Sequence, residues 1–472
     1  MKKVILIAFY FNQVNEIASK RLRALAKYLP QFGWEPIVIV PDLGFIPKEN
    51  DDLNCRIIYT EYEDMFSHFS NKFKKSKSSD FNDFNDSDDF KESKESKDSK
   101  DSKDSKDSKD SKDPIEFNDD KLKDSTSYSN PIASRAISIA GEVFAYPDGM
   151  KYWYESAFKE ASKIMDTEEI DAIISSSWPI TCHTIAKDLK ERQNIPWIAD
   201  LRDLWNLNPY VSHTFIRNYF EKRLELKTFE NADALTTTTD LAAEILSTLH
   251  PKSRIVPILS GYDKDDFKFL EELVSKRDDF SSDSPEKLKF IYAGSLYGGK
   301  RDPTYLFEAI RQLEDENKLD PSKISIEFYG DSTGLEDIAN RYGLLDIVHI
   351  GGKIAHDEVL KKQLNSDVLL LISWDNEKEK MFIPGKIYEY FALKKPVLSI
   401  GYKEGSLKDL IEETKVGYHV SSLESTKEAL LKIYEEFVEN GTVELNADMN
   451  IEDYSMENMA KKFADLLNEL EN

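Results

Sequence analysis

The segment FIPGKIYEYFALKKPVLSIG, Phe382 to Gly401, holds a turn, a helix and a strand in succession. Pro384 and Gly385 turn the backbone sharply before Lys386. Ile387, Tyr390 and Phe391 then follow at the i, i+3, i+4 spacing of a helix with one packed face. Val397 to Ile400 reads as a buried strand. A helix that begins straight after such a turn presents free N–H groups and about half a positive charge at its N-terminus, so with Lys386 beside it the turn is a seat for phosphate. Glu389 lies one turn further on the same side, placed to accept hydrogen bonds from ribose hydroxyls. Turn, cation and carboxylate together describe a site for a nucleoside diphosphate.

The alternation of apolar strands with amphipathic helices extends outward from this segment in both directions. Strands are predicted at Val4–Ala8, Pro36–Val40, Arg56–Tyr59, Ala172–Ser175, Trp197–Asp200 and Ala234–Thr237, and again at Lys289–Tyr292, Ser325–Tyr329, Val348–Ile350, Val368–Ile372 and Val397–Ile400. Strands spaced by helices imply parallel sheets, and two such sets imply an α/β chain of two doubly wound, Rossmann-like domains. The reading places one domain over 1–255, a second over 256–452, and a last helix, 453–472, that crosses back to the first. Ligands of an open parallel sheet bind beyond the carboxyl ends of its strands, where the residues of interest here also fall.

Three further stretches carry candidate residues. YAGSLYGGKRDPTYLFEAI, Tyr292 to Ile310, is a Gly-rich turn leading into a helix, with Ser295, Lys300 and Arg301 in the turn. SSSWP, Ser175 to Pro179, leads through Thr181 to His183, which either assists at a substrate or serves as a structural hydrogen-bonding residue. Asp200, Arg202 and Asp203 end the next strand, either as a self-satisfied ion cluster or as a carboxylate in the cleft.

The chain resembles the retaining nucleotide-sugar glycosyltransferases of GT-B fold, in which a Pro-x-Lys-x-x-Glu-Tyr run precedes a Lys-Pro-Val strand; here these are Pro384, Lys386, Glu389 and Tyr390 before Lys395 to Val397. The Tyr292–Ile310 stretch, IPWIADLRDLW (Ile195 to Trp205), ENADALTTTTDLAAEIL (Glu230 to Leu246) and KYLPQFGWEPIVIV (Lys27 to Val40) match in the same order. The resemblance implies transfer of a sugar from a nucleoside diphosphate sugar to a glycan or lipid-linked acceptor with retention, in cell-surface polysaccharide or glycolipid synthesis. It places Ser295, Lys300, Arg301, Pro384, Gly385, Lys386 and Glu389 at the donor, with Lys300 on the pyrophosphate. Asp200, Arg202 and Arg21 fall on the acceptor side, with Lys300, Asp203 and His183 as catalytic candidates. No cofactor is implied beyond the donor as co-substrate, and no metal, because cations and a helix N-terminus neutralise the leaving diphosphate.

Two departures accompany the likeness. Ser295 stands where many relatives carry an arginine, and Met381 stands where many carry a glutamate that touches the transferred sugar. Glu377 or Glu379, or the backbone of 382–385, is left to take over that contact. The missing glutamate supports an alternative, a non-catalytic nucleotide-binding or assembly subunit; a non-hydrolysing sugar-nucleotide epimerase is another.

Composition narrows the remaining classes. The 472 residues suffice for two real cores, and the net charge of −25 opposes nucleic acid as a partner. Two cysteines, Cys55 and Cys182, make no disulfide framework, and no apolar run reaches the ~20 residues that cross a bilayer, so a cytoplasmic enzyme is expected. From about 74 to 130 the apolar content collapses into Lys-Asp/Glu-Ser triplets, a segment expected to be disordered. Thr214 to Glu230 mixes cations with apolar residues. Ile216, Phe220 and Leu224 share a face expected to pack in the core, and the alternative is a peripheral contact with the inner face of the cell membrane.

Overall fold

Among the described residues, thirteen strands form two parallel sheets, and residues Met1–Tyr62 with Trp153–Asn472 make one compact unit that contains both. The structure is a computed structural model that describes residues 1–13, 17–44, 53–64, 146–211, 213–265, 268 and 287–471. The Lys/Asp/Ser-rich insertion lies outside the described residues.

The first sheet comprises β1 (Lys2–Ile7), β2 (Trp34–Asp42), β3 (Arg56–Glu61), β4 (Ala172–Ser176), β5 (Trp197–Leu201), β6 (Ala234–Thr237) and β7 (Ile255–Pro257), in the order β3-β2-β1-β4-β5-β6-β7. The second comprises β8 (Leu288–Ala293), β9 (Ile324–Tyr329), β10 (Val348–Gly352), β11 (Val368–Ile372), β12 (Val397–Ile400) and β13 (Gly417–Val420), in the order β10-β9-β8-β11-β12-β13. Both are α/β doubly wound sheets, with switch points between β1 and β4 and between β8 and β11. The edge strands β7 and β13 escape a reading by apolar pattern because they are short and mostly half-exposed.

The central stretches Val4–Ile7 of β1 and Val368–Ile372 of β11 are apolar at every position because helices cover both faces of a parallel sheet. In β11, Val368, Leu370 and Ile372 enter one core with the helices Thr304–Asp315 and Leu423–Asn440, while Leu369 and Leu371 enter another with the helices Lys386–Leu393 and Ser406–Thr414. The last helix, Met456–Leu470, lies on the first sheet's side. Met459, Phe463 and Leu467, spaced by four, share a core with Leu22 and Leu25 of the helix Ile17–Tyr28. The crossing is tight at Gly261, where a Cβ would stand 2.4 Å from the carbonyl carbon of Ser455, while Tyr262 N–H donates to Tyr454 O and Met456 N–H to Tyr262 O.

One helix departs from the expected packing. In Phe215–Phe229, Ile216 and Phe220 are exposed, and the face turned inward holds Glu221, Glu225 and Thr228 together with Phe229. Trp205 Nε1 and Arg217 Nε donate to Glu221, and His250 Nε2 lies 3.1 Å from Glu225. Satisfied carboxylates therefore do what apolar contact was expected to do.

Phe463→Ala should lower the unfolding free energy by about 3–5 kcal/mol, whereas Lys461→Ala, on the exposed side of the same helix, should stay within about 0.5 kcal/mol. Equal denaturation midpoints for the two variants would show that the last helix is not docked.

Candidate functional site

A cavity of about 620 Å³ opens between the carboxyl ends of the two sheets. From the first-sheet side it is lined by Lys20 and Arg21 of the helix after β1, by Arg202 and Asp203 after β5, and by Thr238 after β6. From the second it is lined by Phe382, Ile383, Gly385, Lys386 and Glu389, with His356 at the start of the helix His356–Leu364. Ser260, Gly261 and Met456 of the crossing segments close one side. Three cationic side chains, Lys20, Arg202 and Lys386, line it with two carboxylates, Asp203 and Glu389, while the charge of Arg21 is taken up by a buried carboxylate. In a chain of net charge −25 this is a local reversal of sign suited to an anionic ligand.

The Pro384-Gly385 turn forms as expected. Ile387 N–H donates to Pro384 O, Tyr388 N–H to Gly385 O, and Lys386 is the first residue of its helix. Ile387, Tyr390 and Phe391 are fully buried, which fixes the helix's rotation and leaves Lys386 and Glu389 toward the cavity. Lys386 Nζ donates to Ala293 O at the end of β8 and lies 4.9 Å from the Tyr292 ring centroid. Gly294 makes room for it, since a Cβ there would stand 1.7 Å from Nζ. Burial, reinforced by the nearby Arg301 charge and opposed by Glu389, pushes the Lys386 ammonium down to about 8. Arg301 reaches the same place, with Nη1 3.4 Å from Tyr292 Oη.

Lys300 stands apart from this group. Its Nζ lies 5.2 Å from the Trp374 ring centroid, in a neighbouring pocket of about 290 Å³ bounded by Gly299, Ser373, Trp374, Ile400 and Gly401. Among the described residues the buried hydroxyl of Ser373 in that pocket has no hydrogen-bond partner. Ser295 turns back on its own loop, with its Oγ accepting from Tyr297 N–H and donating to Asp331. Pro384 stays in the turn.

The position of the missing glutamate is filled from the other side. Met381 is buried, and its carbonyl accepts a 2.9 Å hydrogen bond from Thr239 Oγ1. Glu379 accepts from Tyr210 Oη, and Glu377 pairs with Lys380 at the surface. Neither carboxylate lines the cavity, whose wall here is Phe382, Ile383 and Gly385.

For two first-sheet candidates the geometry favours the structural alternative. His183 is fully buried, with Nδ1 2.8 Å from Ser175 Oγ and Nε2 2.8 Å from Ser177 Oγ. Burial, against the pull of Asp200, pushes its imidazole down to about 3, so it stays neutral and has no access to an acceptor. Asp200 is equally enclosed. Arg21 clasps both its oxygens at 2.9 and 3.0 Å, and Ser176 and Thr236 each donate at 2.8 Å. Burial opposes its charge, but the Arg21 guanidinium and the hydroxyls outweigh this and hold the carboxyl below its usual range. Asp200 and Arg21 therefore satisfy each other, although the Arg21 stem borders the cavity. Arg202 and Asp203 remain at the cavity, paired at 3.3 Å.

Sequence reasoning missed His356, Thr238, Ser260 and Lys20. His356 Nε2 lies 3.7 Å from Glu389 Oε1. No local spacing joins these residues to the turn; only the crossing of the chain brings them there.

Asp200→Asn, which leaves Arg21 buried without its counter-charge, should cost about 3–5 kcal/mol in chemical denaturation; a loss within error of wild type would refute the clasp. Lys386 is protonated below about pH 8 and neutral above it. A bound diphosphate favours the protonated form, so calorimetric affinity for a nucleoside diphosphate should fall by up to about tenfold per pH unit above 8, and Lys386→Met should flatten the profile. A wild-type affinity unchanged from pH 7 to 9.5 would mean that the ammonium takes no part.

No protein-family model matches the chain, and no curated protein does. Solved structures do. Sucrose-phosphate synthase from Thermosynechococcus elongatus superposes with a TM-score of 0.55 at 13% identity, covering 100% of this chain and 99% of that one. The N-terminal domain of trehalose-6-phosphate phosphatase from Candida albicans superposes with a TM-score of 0.54 at 10% identity, over 99% and 97%. At such identities the likeness is one of architecture: the two doubly wound sheets facing a cleft are the GT-B fold.

Proposed function

We propose that this chain is a glycosyltransferase that moves a sugar from a nucleoside diphosphate sugar to a glycan or lipid-linked acceptor, with retention at the anomeric carbon. The observation that carries the reading is the cleft cavity, which sets Lys386, a helix N-terminus and Glu389 on one wall against Arg202 and Asp203 on the other. The diphosphate sits against Lys386 and Arg301, with Glu389 on the ribose. In a retaining transfer the acceptor hydroxyl attacks on the face the diphosphate leaves, and the departing phosphate oxygen takes its proton. The chain's task is then to hold both partners and neutralise the growing charge, which Lys386, Arg301 and the helix N-terminus do electrostatically. Lys386 suits this task because its ammonium is poorly solvated before the ligand arrives. Asp203 orients the acceptor, and Lys300, over Trp374, contacts the outer part of the donor.

A second reading has its own observation. No side-chain carboxylate from the 377–381 stretch lines the cavity, which suits a subunit that binds nucleotide without turnover.

The test is thermal stabilisation by a panel of nucleoside diphosphates and their sugars, followed by product analysis with candidate acceptors. Lys386→Ala and Glu389→Ala should each weaken the stabilising nucleotide about 10- to 100-fold, the equivalent of a hydrogen bond to a charged group at roughly 1.5–3 kcal/mol. Lys300→Ala should act less. Nucleotide binding without product would favour the subunit, conversion of donor alone would favour an epimerase, and no binding at millimolar ligand would sink the site. Turnover should persist in EDTA; loss restored by manganese would overturn the metal-free mechanism.

A further inference from the structure

Beside the cleft cavity lies a second pocket whose polar groups are left over by the rest of the fold. Its volume is about 290 Å³, against about 620 Å³ for the cleft cavity. That is the low end of the roughly 300–1,000 Å³ of small-molecule sites, so it suits one ring-sized group and not a whole nucleotide. Ser373, the residue after β11, is 6% exposed; its N–H donates to Ile400 O at 2.8 Å, while its hydroxyl has no partner among the described residues. Gly401, the residue after β12, leaves this hydroxyl open to the pocket, since a Cβ there would stand 3.1 Å from Ser373 Cβ and 3.4 Å from its Oγ. The Lys300 ammonium lies over the Trp374 ring, and Asp375 is exposed at the rim; among the described residues neither has an ion-pair partner. Asp302, the other carboxylate of the lining, is engaged by Thr304 N–H at 2.9 Å.

We infer that this pocket seats the transferred sugar and that the sugar is an uncharged hexose, read by Asp375, Ser373 and Lys300. The inference rests on the reading of the cleft as a nucleoside diphosphate site. The turn after β8 joins the two spaces: Arg301 reaches Tyr292, beside Lys386, while its neighbour Lys300 lines the side pocket. A diphosphate held by Lys386 and Arg301 therefore presents its sugar to the next residue, Lys300. Tyr210 bridges the two spaces as well, with its ring 5.5 Å from Phe382 of the cleft wall and 6.1 Å from Trp374 of the pocket. The leftover groups are two donors, the Lys300 ammonium and the Ser373 hydroxyl, and two acceptors, that same hydroxyl and the Asp375 carboxylate. Sugar hydroxyls both donate and accept, so they satisfy the whole set. A uronate would meet Asp375 at like charge, and an amino sugar would meet Lys300 at like charge. Asp375 thus supplies the sugar-facing carboxylate that the 377–381 stretch does not bring to the cleft.

Calorimetry on the full chain tests this with uridine, guanosine, adenosine and thymidine diphosphates, followed by the glucose, galactose, mannose and glucuronate esters of whichever binds. At least one uncharged hexose should bind about tenfold or more tighter than the bare diphosphate, the worth of a hydrogen bond to a charged group, and the glucuronate should bind no tighter than the diphosphate. D375N should remove most of that gain and S373A about threefold of it, while both bind the bare diphosphate within about twofold of wild type. Asp375 is exposed and the Ser373 hydroxyl bonds nothing, so both variants should keep the wild-type thermal midpoint. The comparison of hexose with glucuronate needs neither variant. If no diphosphate binds, the cleft reading itself falls and this inference with it. If a diphosphate binds but no hexose adds to it, or if both variants weaken the bare diphosphate as much as the hexose, the cleft reading stands and the side pocket is not the sugar's seat. A glucuronate bound more tightly than every hexose would overturn the class of the sugar.

Discussion

The buried pair of Arg21 and Asp200 ties more of this molecule together than any other contact. Asp200 ends β5, and its carboxylate also gathers Ser176 from β4 and Thr236 from β6. Arg21 carries the grip outward: Nη1 meets Ser260 Oγ in the crossing segment and Met459 Sδ on the last helix, and its guanidinium carbon lies 5.1 Å from the Phe463 ring centroid. One ion pair thus registers three strands, a helix and both crossings at the floor of the cleft. Such an arrangement stabilises only when each lone pair and proton is satisfied, which the two hydroxyls and the bidentate guanidinium achieve. It also separates two roles that adjacent residues share, since Asp200 holds the sheet and Asp203, three positions on, borders the cavity.

The second sheet solves a different problem at the same cleft. A lysine is held half-buried against a strand-end carbonyl, beside an aromatic ring and near a second cation, and the space for it exists because residue 294 has no side chain. An ammonium in that state has surrendered much of its hydration before any ligand arrives. Interaction with an incoming anion then costs little further desolvation, which is the physical meaning of preorganisation. Across the cleft, Thr239 holds Met381 by its carbonyl, and Tyr210 packs its ring 5.5 Å from Phe382 and its hydroxyl on Glu379. The 379–382 loop after β11 is therefore held from the side of the first sheet.

Much of the fold was legible in the residues because parallel strands covered on both faces are largely apolar, and VLLLI and VILI read as buried strands. The turn at Pro384-Gly385 and the inward rotation set by Ile387, Tyr390 and Phe391 were legible for the same local reason. His183 and Asp200 each left two readings open because position at a strand end indicates proximity to a cleft but not the direction of a side chain; both turn into the sheet. Ile216 and Phe220 misled because helical spacing shows which residues share a face and not which face is buried, and here paired carboxylates took the inner side.

The sequence alone thus determined the periodicities: two doubly wound sheets, the Pro384-Gly385 turn and the low-complexity insertion, all set by interactions between near neighbours. Tertiary structure decided what those periodicities leave free. It joined Lys386 to Ala293, Arg21 to Asp200 and His356 to Glu389, and it turned one helix's apolar face to solvent. Those outcomes depend on desolvation and charge between residues far apart in the chain, which no local pattern encodes.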